Sequence, residues 1–161
     1  MSGLDPARLG AIAVECPGFQ ARATARSVTR FYNSCFKPLD LTAEQFSLLV
    51  GIGATAGTML VDLAAGAGVD TTTLSRSVQI LERRGLVCAQ GGRGRAGKRL
   101  YLTTSGHQLM TDAVPVWRRA KATLSRYLGR VRLEAARQAM SELAEAADAH
   151  SSAATGQSDK I

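Results

Sequence analysis

The stretch VDTTTLSRSVQILERRGLV, Val69 to Val87, decides how this chain is read. Stepping through it at about 100° per residue puts Leu74, Val78 and Leu81 in one narrow arc. That arc is the expected buried face. Asp70 is a good N-cap and Gly85 a good stop, so a helix from Asp70 to about Arg84 is predicted. The opposite side carries Thr72, Arg76, Gln79 and Arg83, with Ser75 on its flank. A helix that merely faces solvent favours Glu and Lys there. Short hydroxyls, Arg and Gln instead share the ability to hydrogen-bond in a groove without filling it with negative charge. Arg can pair with guanine in bidentate fashion, Gln with adenine, and Thr or Ser with phosphate or a thymine methyl.

Charge around this helix supports the same direction. The chain has 161 residues with 20 Lys plus Arg against 13 acids, a net of +7. Between Thr71 and Tyr101 stand Arg76, Arg83, Arg84, Arg93, Arg95, Lys98 and Arg99 against the single acid Glu82, a local net of +6. Nearly the whole surplus is therefore concentrated in one window, which points to an anionic polymer or to phosphates as partner.

Working outward, "GAGVD" is a turn, and Met59 to Ala65 before it reads as a short helix with Leu60 and Leu63 inward and Asp62 outward. Short helix, turn and amphipathic helix form a helix-turn-helix, whose second helix enters a major groove. After Gly85 the period changes: "LVCAQ" and "KRLYLT" are strand-like and flank the Gly-rich, basic "GGRGRAG". That hairpin is a wing, with Arg93 and Arg95 at its tip and Lys98 beside it. Upstream, Val28, Phe31, Tyr32, Cys35 and Phe36 form the apolar face of a helix that Pro38 stops. Thr42 with Gln45 opens the next helix as a capping box, and Gly51, Gly53 and Gly57 end it. Downstream, a long helix carries Leu109, Ala113, Trp117, Ala120, Leu124 and Tyr127 at core spacing, and Gly129 breaks it. The last helix spaces Leu133, Ala136, Met140, Leu143 and Ala147 as a seam for another helix. The first fifteen residues read as a loose arm.

The expected fold class is mainly α with a small β-hairpin wing: a winged helix-turn-helix with long dimerisation helices. Residues 1–38 are the N-terminal arm and dimerisation helix, 39–103 the DNA-binding lobe, 104–150 the C-terminal dimerisation helices and 151–161 a disordered tail.

Three segments, "ARSVTRFYNSCFKPLDLTAEQFSLL", "VDLAAGAGVDTTTLSRSVQILERRGLV" and "LYLTTSGHQLM", resemble the MarR family of bacterial winged-helix regulators. The match runs from about Phe19 to around Trp117. The resemblance implies a homodimer joined by its first and last helices, bound to pseudo-palindromic double-stranded operators. It also implies repression relieved by a small anion, a phenolic compound or an oxidant. By position, Thr71, Thr72, Ser75 and Arg76 fall on the family's major-groove contacts, and Arg93 and Arg95 on its wing. The residue reading adds Gln79, Arg83 and Lys98 to the DNA-binding set. Where the family carries Asp-x-Arg in the wing, this chain has Gly94 and Ala96, so Arg93 or Arg95 would have to supply the cation without the bracing Asp.

Three widely spaced cysteines give no disulfide framework, and no Cys/His group has zinc spacing. Cys35 and Cys88 read as core. Cys16, just before Pro17 at a helix start, is the candidate for a redox sensor, against the plainer reading as an ordinary thiol. In the hydroperoxide-sensing branch of the family the cysteine falls at the position of Gly18. No paired carboxylates, nucleophile–base set or phosphate loop indicates an enzyme, and no cofactor or metal is expected. Without a long apolar run or a signal peptide, the chain is expected to be cytoplasmic and free of the membrane. The alternative function is a winged-helix docking module for another protein, without sequence-specific DNA binding.

Overall fold

Thr42 and Gln45 close the reciprocal cap expected of them. The Thr42 hydroxyl accepts from Gln45 N at 3.1 Å, and Gln45 Oε1 accepts from Thr42 N at 3.2 Å. Helix α3, Ala43–Gly53, follows, and Phe46, Leu48, Leu49 and Ile52 line its buried face. The structure is a computed structural model that describes residues 5–55, 57–91 and 98–155. These fall into two units, Ala25–Ala120 and a second comprising the described residues up to Thr24 and from Lys121.

In the first unit the chain enters on α2 (Pro17–Phe36) and turns through a 3-10 segment, Lys37–Leu39, before α3. A two-residue strand β1 (Thr58–Met59) leads into α4 (Leu60–Ala67) and then α5 (Thr71–Arg83). Strands β2 (Val87–Gln90) and β3 (Arg99–Leu102) precede α6 (Thr104–Leu128). The sheet is antiparallel in the order β1-β3-β2, with Val87 opposite Leu102, Gln90 opposite Arg99 and Thr58 opposite Leu100. The strand β1 was not anticipated, because two residues carry no period to read.

One apolar cluster fills this unit. Phe36 stacks on Phe46 with ring centroids 4.6 Å apart, and Phe36, Leu49, Ile52 and Leu81 are the largest side chains removed from solvent. Leu74 and Val78 join Leu81 from α5, and Leu109, Ala113 and Trp117 pack in from α6. Burying a Leu or Phe side chain contributes about 1.5–3 kcal/mol, so the three inward residues of α5 alone hold that helix firmly. Its end is fixed too. Gly85, at φ 68°, completes a Schellman motif, with Gly85 N donating to Glu82 O and Leu86 N to Leu81 O.

The second unit contains α1 (Pro6–Glu15), the start of α2, the end of α6 and α7 (Arg130–Thr155). Three expectations are corrected here. The N-terminal arm is helical from Pro6, because Asp5 caps Ala7 N at 3.0 Å and Pro6 is pre-set for a first turn. The expected tail is helical as far as Thr155, since its Ser and Ala continue the helix that precedes them. Tyr127, read as core, is 86% exposed. In the first unit, α3 ends at Gly53 as read, while Gly51 lies within the helix rather than ending it; Leu63 packs against Gly51.

Candidate nucleic-acid interface

The side of α5 away from the core is open, as the spacing of Thr72, Arg76, Gln79 and Arg83 requires. A groove of about 400 Å³ runs between α4 and α5, lined by Leu60, Val61, Thr71, Thr72, Ser75, Arg76 and Gln79. Five of the residues chosen from the sequence therefore share one surface feature. Thr71, Thr72, Arg76 and Arg83 are exposed and Gln79 is half-buried. Ser75 departs from its predicted place. It is buried among α4 and α5, at 9% exposure, and forms part of the groove's lining rather than an open flank. The reason is α4, which packs against this side of α5 and brings Leu60 and Val61 into the same groove as Ser75.

The start of α5 is organised around Asp70. Its Oδ1 accepts from Thr73 N at 2.8 Å and its Oδ2 from the Thr73 hydroxyl at 2.6 Å. These hydrogen bonds, the side-chain one foremost, hold the Asp70 carboxyl below its ordinary pKa. Thr73 is thereby committed to the cap, while Thr71 and Thr72 stay directed to the groove.

Lys98 is exposed beside β3, in a smaller recess shared with Ser75, Gln79 and Glu82, so the base of the wing adjoins α5. Arg93 and Arg95, with the Gly94 and Ala96 that replace the family's wing motif, lie outside the described residues.

Two arginines of the basic window have other work. Arg99 donates to Gly57 O at 3.0 Å and ties β3 to the chain entering β1. Arg84, the C-cap of α5, points back into the scaffold. Its Nη2 donates to Asp40 O at 2.7 Å and to Asp40 Oδ2 at 3.2 Å, and its Nη1 to Gln45 Oε1 at 3.0 Å. The Asp40 carboxylate is almost fully exposed, so the ion pair as such is worth only about 0–1 kcal/mol. The hydrogen bonds to the carbonyl and to Gln45 matter more. A second tie, Ser77 Oγ donating to Glu44 Oε1 at 2.8 Å, joins the middle of α5 to the first turn of α3. Sequence reading assigned Arg84 no role. Only the convergence of residues about 40 positions apart in the chain reveals it.

No sequence-family model and no curated protein matches the chain, but solved structures do. The M. tuberculosis transcriptional regulator MosR, in complex with DNA, is 33% identical over 84% of this chain and 98% of its own, with a TM-score of 0.75. The chain belongs to the MarR family of winged-helix transcriptional regulators. Another MarR-family structure, the transcriptional repressor CouR bound to a 23-mer DNA duplex, is 25% identical, covering 89% of this chain and 99% of that one at a TM-score of 0.74. CouR has also been solved bound to p-coumaroyl-CoA, at 25% identity, covering 83% and 94% of the two chains with a TM-score of 0.72. The E. coli MarR mutant in complex with operator DNA is 22% identical over 82% and 96% of the two chains at a TM-score of 0.73, which speaks for the fold alone. MarR-family membership agrees with the fold class read from the sequence. Among the described residues no helix is long and apolar enough to cross a membrane.

Proposed function

We propose that this chain is a sequence-specific, double-stranded-DNA-binding transcriptional repressor that works as a homodimer and has no catalytic role. The observation that carries the reading is the open groove on α5, where Thr71, Thr72, Arg76 and Gln79 stand together on a helix fixed by its core face and its cap. Thr72, Arg76 and Gln79 read base edges or adjacent phosphates, Ser75 shapes the groove beneath them, and Arg83 and Lys98 lie along the backbone. Arg93 and Arg95 supply the wing's contact to the neighbouring minor groove or backbone, where a narrow groove concentrates negative potential.

Dimerisation is supported by apolar side chains that the single chain leaves in solvent. Leu9, Ile12 and Val14 on α1, and Val131, Met140 and Leu143 on α7, are all exposed. Two α5 helices then sit about 34 Å apart, one turn of duplex, and read a pseudo-palindromic operator. The releasing signal is a small anion, a phenolic molecule or an oxidant. CouR's complex with p-coumaroyl-CoA supports the phenolic class, and Cys16, part-exposed before Pro17, is the thiol that an oxidant would reach. The protein works in the cytoplasm, where its DNA is.

The experiment is fluorescence anisotropy with duplex flanking the protein's own gene against scrambled duplex, over a range of salt. Site-selective binding with a steep salt slope supports the reading. Binding that ignores sequence removes the operator assignment, and no binding at all favours a protein-docking module. Repeating the titration with salicylate-like anions and with peroxide, beside Cys16→Ser, distinguishes the signals.

A further inference from the structure

We propose that Arg84 is a positioning residue for DNA recognition: it sets the pose of α5 through the Asp40–Gln45 corner and makes no contact with DNA. The inference rests on the DNA-binding reading above. Arg83 and Arg84 are adjacent in sequence and equal in formal charge, yet their surroundings differ. Arg83 is exposed on the side of α5 that carries the groove residues, and none of its hydrogen bonds or ion pairs lies among the described residues. Arg84 is largely withdrawn, its side chain 28% exposed, and its guanidinium spans three acceptors on two separate turns of the chain.

Those acceptors are themselves fixed. Asp40 is the one non-glycine among the described residues with a positive φ, 47°, and its carbonyl is the shortest of the three contacts. Gln45 Oε1 already accepts from Thr42 N, so the guanidinium is bonded to the same oxygen that caps α3. The far end of α5 is thereby tied to the point where α2 ends and α3 begins, while Ser77–Glu44 restrains the helix about two turns earlier. Apolar packing of Leu74, Val78 and Leu81 resists withdrawal of the helix but is non-directional. Rotation and tilt are set by the polar ties. A planar five-donor fork can hold three acceptors at once, and a lysine ammonium of similar charge cannot reproduce that geometry.

The test separates position from charge. A duplex is selected from a random pool by the parent protein, and its affinity is measured against scrambled duplex at several salt concentrations for Arg84→Lys, Gln45→Leu and Arg83→Gln. Neither of the first two changes the net charge. Both are expected to weaken binding to the selected duplex by about fivefold or more, because reading groups need to be held within about 0.5 Å. Binding to scrambled duplex and the salt slope should stay as in the parent. Arg83→Gln is expected to do the reverse, lowering the magnitude of the slope by about 1.8, about 0.9 for each protomer, and weakening both duplexes together. Thermal unfolding of each variant confirms that a folded protein is titrated. Arg84→Lys with parental affinity, or a lower slope in a fourth variant, Arg84→Gln, titrated in the same way, would overturn the proposal. If Gln45→Leu does not fold because α3 has lost its cap, Arg84→Lys decides. A parent that selects no duplex at all refutes the DNA-binding reading itself, which is a different result from a parent that selects and an Arg84 variant that binds equally well.

Discussion

Replacing Arg76 with alanine should weaken operator binding without touching the fold. Arg76 is exposed on the wall of the α4–α5 groove beside Thr72 and Gln79, and no partner for its guanidinium lies among the described residues. Truncation therefore leaves no orphaned group inside the protein, and the thermal midpoint should stay close to the parent's. A side chain bonded to a base edge is worth about 1–3 kcal/mol of specific binding. A homodimer presents it twice, so the loss is about 2–6 kcal/mol for the whole complex if the two sites add. The lower limit already raises Kd about thirtyfold, at about 1.4 kcal/mol per factor of ten. Arg76→Lys sharpens the test, because it keeps the charge and removes the bidentate fork. If Arg76 reads guanine, the lysine variant loses discrimination between operator and scrambled duplex while keeping the salt slope. Anisotropy titrations of parent, Arg76→Lys and Arg76→Ala on both duplexes measure all of this. Equal operator affinity for parent and Arg76→Ala would refute the assignment of this groove as the reading surface.

Three further outcomes follow from the same geometry. Asp70→Ala removes the cap on Thr73, and because hydrogen bonding lowers the folded pKa of Asp70, its stabilisation is present above the unfolded pKa and lost as pH falls through the folded one. Melts should show the variant below the parent at neutral pH and the two converging in acid; a constant gap would mean the carboxylate is not what caps the helix. Gly106→Ala should destabilise by about 1–3 kcal/mol in urea, since an added Cβ would run into the Leu86 carbonyl, a backbone atom that cannot swing aside. Unchanged stability would show that α6 can shift away from β2. Finally, the pair Met140→Arg with Leu143→Arg puts two cations on exposed apolar positions of α7. Sedimentation equilibrium should fall from the mass of two chains to that of one, and operator affinity should fall with it; an intact dimer would place the dimer contact elsewhere.

The sequence by itself determined the elements whose signals are local. The Leu74–Val78–Leu81 spacing, the Asp70 and Thr42 caps and the Gly85 stop each act within a few residues, so the helix, its buried face and its ends could be read directly. The choice of Thr72, Arg76 and Gln79 as an open stripe came from the same periodicity. What the tertiary structure decided is what those residues meet. Ser75 moved from flank to lining because α4 packs against that side of α5, and a helix projected alone contains no neighbour. Arg84 left the basic surface for Asp40 and Gln45, and Arg99, still exposed, donates to Gly57, although composition counts each as one more positive charge. The strand β1 exists only because β3 offers it a register. Helix propensity, caps and amphipathic faces are properties of neighbouring residues in the chain, whereas the destination of a side chain depends on groups brought to it from elsewhere by folding. For this protein the first kind of information marked the recognition helix, and the second kind separated the arginines that face outward from those that hold it in place.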